Sequence, residues 1–390
     1  MSGTSCDVAV VGGGPAGLLA GLLVARTGAE TTLLAPPPRP DARTTALLEG
    51  SVAILRAAGL WSELAPHAAP LKSLRIVDAG RRLFRAPEAL FHASELGLEA
   101  FGWNMPNTTL TDVLRRTLLA LPNAALVESE ATATRPSEER VEIDYADGVV
   151  SARLAVAADG RGSMLRQAAG IGFRSRRAPQ DALAFAVSHE RPHGDVSTEL
   201  HTEEGPFTLV PMPGRRSSVV WAATPDRAGA LIALSPEAFS QAATRASGRL
   251  LGQMQLDGAI GRFPIVIGAA TAFAARRTML VGEAGHVLPP IGAQGLNLGV
   301  RDAAAVARIV ADARGAGRDC GDEAGLRAYA RARAADAWSR TAATDLLNRS
   351  LLTDFAPFHA ARGLGLAAIS RIGPLRRFVM REGLAGGPRL

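Results

Sequence analysis

The sequence predicts an α/β fold: a Rossmann-like lobe built from discontinuous pieces, a β-rich lobe inserted into it, and a helical C-terminal segment. Three observations carry this. The chain opens on strand, glycine turn, helix and strand, the beginning of a doubly wound sheet. A buried-strand pattern returns near residue 280 and feeds a long alanine-rich helix. Between them, segments 71–104 and 181–263 read as short-stranded and β-rich, and no linker-like stretch separates the halves. At 390 residues the chain exceeds the ~250–300 at which one core stops growing, so packed lobes are expected. The boundaries fall at 1–70, 105–180 and 264–335 for the discontinuous lobe, 71–104 and 181–263 for the inserted substrate lobe, and 336–390 for the helical segment.

The elements follow in order. Residues 7–11 are apolar and β-branched and end in Gly12-Gly13-Gly14-Pro15-Ala16-Gly17. Residues 18–25 suit a buried helix, and 31–35 a second strand stopped by Pro36-Pro37-Pro38. Apolar residues recur at helical spacing over 44–58, with Gly59 as terminator. A helix is expected over 111–121, capped by Thr111. Strands 141–145 and 149–157 flank Asp147-Gly148, a hairpin signal. Residues 207–210 and 218–222 read as strands, 279–282 as a buried strand, and 296–313 as a helix.

Composition narrows the function classes. Hydrophobic residues are 47% and charged residues 21%, which excludes a disordered, collagen-like or disulfide-framework protein. Cys6 and Cys320 lie far apart and fit no metal spacing, so a reducing cytoplasmic setting is expected. No apolar run approaches the ~20 residues that span a bilayer, and the start lacks a basic signal-peptide region. The net charge is +6, almost all of it arginine, since Lys72 is the only lysine. In the tail, Arg362, Arg371, Arg376, Arg377, Arg381 and Arg389 meet only Glu382. That tail either lies peripherally on an anionic membrane surface or a partner, or caps the domain as an ordinary helix. No aromatic platform accompanies the charge, so nucleic acid is not expected.

Gly12-x-Gly14-x-x-Gly17 after a strand and before a helix is a dinucleotide-binding pattern. Its glycines permit a tight turn, close approach of a pyrophosphate, and helix-on-sheet packing at a helix N-terminus. The acidic residue that usually ends the second strand, on the adenosine ribose, is Ala35 here. That removes one hydrogen-bonded anchor, so either nucleotide affinity is lower or another group, such as a water or Arg43, compensates. His189 and His193 are four apart, but Pro192 and Gly194 argue against a helix, and no metal site is expected. Phe207 and Trp221 read either as lining the substrate lobe or as core.

Two further segments carry a family resemblance. Ala157-Ala-Asp159-Gly160-Arg161-Gly162-Ser163-Met164-Leu165-Arg166 resembles the Asp-Gly motif of group A FAD-dependent aromatic monooxygenases. Leu280-Val-Gly282-Glu283-Ala-Gly-His286-Val-Leu-Pro289-Pro290-Ile-Gly292-Ala-Gln-Gly295-Leu296-Asn297 is similar to their second FAD motif, closest to the ubiquinone-biosynthesis hydroxylases. Residues 41–47, Gly59-Leu60-Trp61, Gly363-Leu364-Gly365 and 373–377 resemble the same branch.

The resemblance implies the para-hydroxybenzoate hydroxylase-like fold, bound FAD, NAD(P)H as reductant, and hydroxylation of a polyprenylated phenol by O2 through a C4a-hydroperoxyflavin. It implies a cofactor site of Gly12, Gly14, Pro15, Ala16, Gly17, Arg43, Asn107, Asp159, Gly160, Gly282, Glu283, Pro289, Gly292, Gly295, Leu296 and Asn297. Glu283, where Asp is commoner, would accept from ribityl hydroxyls. Backbone N–H groups of Gly295, Leu296 and Asn297 would face the flavin pyrimidine edge. Asp159 and Gly160 would sit by the pyrophosphate and ribityl chain, with Ser163 supporting the turn. Arg166 is either a second support or a surface residue. No catalytic base is legible. The alternatives are a flavin-fold reductase or oxidase acting on another hydrophobic substrate, and a non-catalytic membrane-surface subunit of a quinone-making complex.

Overall fold

The computed structural model describes residues 2–38, 40–80, 88–202, 205–290, 292–352 and 373–381. Its first sheet has eight strands. Five run parallel in the order Thr278–Leu280, Gly148–Ala157, Ser2–Val11, Thr31–Leu34 and Ala124–Val127. The strand Val141–Tyr145 pairs antiparallel with Gly148–Ala157 and carries Ala131–Pro136 beyond it. The hairpin forms where expected, but Gly148 already pairs with Tyr145, so Ala146 and Asp147 make the turn.

The first helix, Pro15–Ala25, follows the glycine loop directly. Proline in its first turn needs no N–H partner there. Eight of its residues are buried, so it is apolar nearly all round. It lies between the helix Asn107–Leu119 and the long helix Gln294–Gly315. Small residues set the second approach: a Cβ on Gly299 would come 3.1 Å from that of Ala16. The first and second motifs therefore meet helix to helix.

The second sheet also has eight strands, from His286–Val287 through Met254–Ala270, Phe173–His189, Arg216–Ala223, Gly205–Met212, Val196–Thr202 and Ser73–Asp78 to Ala89–His92. One face buries Leu183, Phe185, Leu200, Leu209 and Val219 under helices Pro225–Ile232 and Pro236–Ala246. Phe207 and Trp221 belong to this covered face, 5.2 Å apart edge to face, with Phe239 beside them. They are core. Strand alternation sends their even-numbered neighbours, Thr208, Ser218 and Val220, to the opposite face.

Two expectations need correction. Helical spacing over 44–58 holds only for Glu49–Ala57; Thr44–Leu48 is a strand, pairing with Gly102–Pro106. The remote partner and the β-branched Thr44 and Thr45 decide it. The helix expected at 111 begins at Asn107, and the Thr111 hydroxyl donates back to the carbonyls of Asn107 and Thr108 instead of capping.

At the C-terminal end, Glu323–Leu352 and Gly373–Val379 are helical. Met380 is buried with Ala89, Phe91, Ala93 and Phe101. Arg376 does not meet only Glu382: it pairs with Glu95 at 2.6 Å and lies over the Phe91 ring. This part of the basic tail is a docked cap. Arg377 and Arg381 are exposed, and Arg362, Arg371 and Arg389 lie outside the described residues. Among the described residues no helix is long and apolar enough to cross a membrane.

Candidate active site

Gly12 ends the first strand at φ +124°, and a Cβ there would sit 2.0 Å from the Ala158 carbonyl oxygen. Only glycine fits that turn. Gly17 is equally tight, 2.1 Å from the Gly12 oxygen, whereas a Cβ on Gly14 would meet nothing within 4 Å. The three glycines thus divide: two pack the turn, and the third leaves space over the N-terminus of the Pro15–Ala25 helix. Ala35 is buried beside them, and a Cβ on Gly13 would come 2.8 Å from its own.

Asp159 follows the parallel strand beside this loop. Its Oδ2 accepts from the backbone N–H of Met164 and Leu165, while Oδ1 is buried without a hydrogen-bond partner. Ser163 caps the short helix behind it, and Gly160 (φ +82°) opens toward empty space. Arg166 is buried and supports the turn. It donates to Ala284 O at 2.9 Å and Arg161 O at 2.9 Å, with Phe173 stacked under its guanidinium. One side chain so joins the Asp-Gly motif to the second motif.

The second motif rests on buried charges that the sequence reading missed. Asp302, fully buried, accepts from Gly282 N–H at 3.0 Å, His286 Nε2 at 2.6 Å and Arg333 Nε at 2.6 Å. Burial alone would raise its carboxyl pKa, but the Arg333 and His286 charges and the hydrogen bonds bring it down to about 2. Tyr329 closes the network by donating to Leu280 O. Beyond it, Ala293 adopts φ +53° and starts the helix Gln294–Gly315. Asn297 is buried there: its amide donates to Ala46 O and accepts from Leu48 N–H. The helix start is thereby tied to the strand Thr44–Leu48. Gly295 is exposed with open space over it, and Leu296 is half-buried.

Asn107 reaches from far along the chain to Asp41, which stands two residues before Arg43 and binds it as well. Asp41 accepts from Arg43 Nε at 2.8 Å and from Asn107 Nδ2 at 3.0 Å. Burial pushes its carboxyl pKa up, but these bonds outweigh that and lower it. Asn107 Oδ1 stays buried without a partner. Arg43 lies over Phe263 and shares a cavity of about 320 Å³ with Arg161, Glu283 and Pro290. It sits on the Glu283 side of the site.

A second cavity, about 230 Å³, adjoins the first, and both are lined by Thr44, Ser218, Val220 and Pro290. Its walls are the start of the second-motif helix (Ala293, Gly295, Leu296) and the uncovered face of the second sheet (Ser197, Glu199, Thr208). Leu48, Leu71, Leu74 and Phe101 make much of the rest apolar. His189 and His193 lie apart from both cavities, with His189 bonded to Ser217 and Arg191 O and His193 to Met212 O.

The FAD binding domain family matches residues 5–344. The chain is 35% identical to the ubiquinone hydroxylase UbiL of Rhodospirillum rubrum, over 97% of this chain and 89% of that protein. It is 29% identical to the 3-demethoxyubiquinol 3-hydroxylase of Escherichia coli, over 98% of this chain and all of that one. Among solved structures, p-nitrophenol 4-monooxygenase PnpA from Pseudomonas putida superposes with a TM-score of 0.81 at 19% identity, covering both chains fully.

Proposed function

The chain belongs to the FAD-binding-domain family of flavin monooxygenases that includes the ubiquinone hydroxylases, and on that premise we propose which residues hold FAD and where a prenylated phenol is hydroxylated. The observation that carries the reading is the paired cavity between the second-motif helix start and the uncovered sheet face.

The residues fit FAD. Open space over Gly14 and Gly160 leaves room for a pyrophosphate, and the buried, unpartnered oxygens of Asp159 and Asn107 await donors such as ribose or ribityl hydroxyls. Gly12, Gly14, Pro15, Ala16 and Gly17 would cradle the diphosphate with helix N–H groups. Glu283 would accept from the ribityl chain, with Gly282 and Pro289 shaping the approach. Gly292, Gly295, Leu296 and Asn297 would present backbone N–H groups and the positive helix end to the ring system.

When bound, reduced FAD activates O2 for transfer to the ring. The protein's part is to keep water out and hold the ring still. Leucines and Phe101 of the smaller cavity exclude solvent, and its hydroxyl-bearing side chains orient polar ring substituents. For a hydrophobic polyprenyl substrate, the exposed Arg377 and Arg381 beside the docked cap support peripheral attachment to an anionic cytoplasmic membrane face or to a quinone-making complex.

The test is hydroxylation itself. Purified protein should show flavin absorption and, with NAD(P)H and a short-chain prenylphenol, form a product bearing one atom from ¹⁸O2. Flavin without oxygenated product would favour the reductase reading, and no bound flavin the non-catalytic one. Vesicle cosedimentation that survives deletion of residues 362–390 would overturn membrane attachment through the tail.

A further inference from the structure

We propose that Glu199 is the base that takes the ring-hydroxyl proton during oxygen transfer, and that His201 positions it. The inference rests on the reading that the smaller cavity holds the phenol ring. Among the described residues lining that cavity, Glu199 alone carries a charge. It sits on the strand Val196–Thr202, whose alternation puts Ser197, Glu199 and His201 on one face and Leu200 in the covered core.

Glu199 is buried, with its side chain only 10% exposed, and one oxygen is held: His201 Nε2 lies 2.6 Å from Oε1. No hydrogen bond among the described residues takes Oε2. A neutral imidazole protonated at Nε2 donates to Oε1 and leaves Oε2 for a hydroxyl in the cavity. The far wall of the same cavity is the start of the helix Gln294–Gly315. A ring between the two walls would place one edge toward the carboxylate and one face toward the flavin side.

A phenol directs electrophilic oxygen to its ring more strongly as its O–H bond weakens. As the new C–O bond forms, with oxygen from O2 and two electrons from the NAD(P)H-class reductant, the hydroxyl proton passes to Glu199 Oε2. The second oxygen atom leaves as water. The ring is then a dienone with hydrogen still on the attacked carbon. Loss of that hydrogen as a proton and return of the Glu199 proton to the carbonyl oxygen restore the aromatic ring and the carboxylate.

Glu199→Gln keeps the shape and the acceptor for His201 but cannot take a proton. With an ordinary prenylphenol, hydroxylation should fall about 100-fold, in the range of a lost general base. Bound flavin, flavin reduction and ligand affinity should change less than threefold, and oxygen consumed should appear as H2O2. A fluorinated prenylphenol already ionised in solution needs no base, so with it the loss should shrink to below about threefold. Glu199→Asp should recover part of the activity, and His201→Gln should lose about tenfold and respond to the ionised substrate in the same sense.

Equal loss on both substrates would overturn the proposal, as would no loss. So would loss of flavin from Glu199→Gln, which would make the role structural. A wild-type protein that hydroxylates neither phenol would instead refute the functional reading on which the proposal stands.

Discussion

The two motifs that meet at the candidate cofactor site are held by different physics. The first glycine loop is fixed by backbone sterics alone, with Gly12 and Gly17 packed too tightly for any side chain. The second motif is fixed by charge: Asp302 gathers Gly282, His286 and Arg333 where burial excludes water. Steric fixing depends on a single atom's volume and is insensitive to pH. Ionic fixing depends on every partner being present, because each buried charge left alone carries its full desolvation cost.

Asp302→Ala tests the charged half and should have the largest effect. It takes the carboxylate from buried His286 and leaves buried Arg333 only Asp336, 3.0 Å away, a loss of about 3–5 kcal/mol. Thermal melts of the flavin-free protein should show it, and flavin should be retained poorly. The sign of the pH effect follows. Because the Asp302 pKa is depressed to about 2, its contribution is complete above the ordinary carboxylate range near ~4 and is lost as pH falls toward 2. Acid-induced loss of stability over that window should be smaller in Asp302→Asn, measured relative to its own neutral value.

The steric half is broken by Gly12→Ala, with a smaller cost of about 3 kcal/mol from positive φ and a clash with Ala158 O. Gly14→Ala sharpens the contrast. Space is free there and the backbone is ordinary (φ −74°), so stability should change by less than about 1 kcal/mol. FAD affinity, read by flavin fluorescence titration, should nevertheless drop about tenfold because the methyl occupies the cradle. A Gly14→Ala protein that binds FAD normally would move the diphosphate elsewhere.

The same contrast explains what the sequence could reveal. Glycine spacing is a local constraint, so the doubly wound start was legible from the residues themselves, whereas the segments around 159 and 282 were marked by family resemblance. Thr44–Leu48 was not legible as a strand, because its strand partner lies more than fifty residues away. Asp41 has Arg43 two residues away, but only folding brings Asn107 to it. Phe207 and Trp221 illustrate a subtler limit. Alternation shows that a strand has two faces but not which one receives helices. For the proposed base the available signal is Ser197, Glu199 and His201 at alternate positions, blurred by the hydroxyls of Thr198 and Thr202 beside them.

The C-terminal cap offers the smallest effect. Arg376 reaches Glu95 from a helix nearly three hundred residues away, and Glu95 is held down to about 2 first by that hydrogen bond. Both side chains stay partly solvated, so water screens the pair, and the Phe91 ring adds a cation–π contact. Arg376→Ala should cost no more than about 1 kcal/mol. Its consequence lies in position rather than in energy: Met380 packs with Phe101, and Phe101 lines the smaller cavity. Loosening the cap should therefore raise KM for a prenylphenol more than it lowers kcat, with bound flavin unchanged. A variant that loses kcat and FAD together would place the cap's influence on the cofactor, and the separation between the two halves of the site would no longer hold.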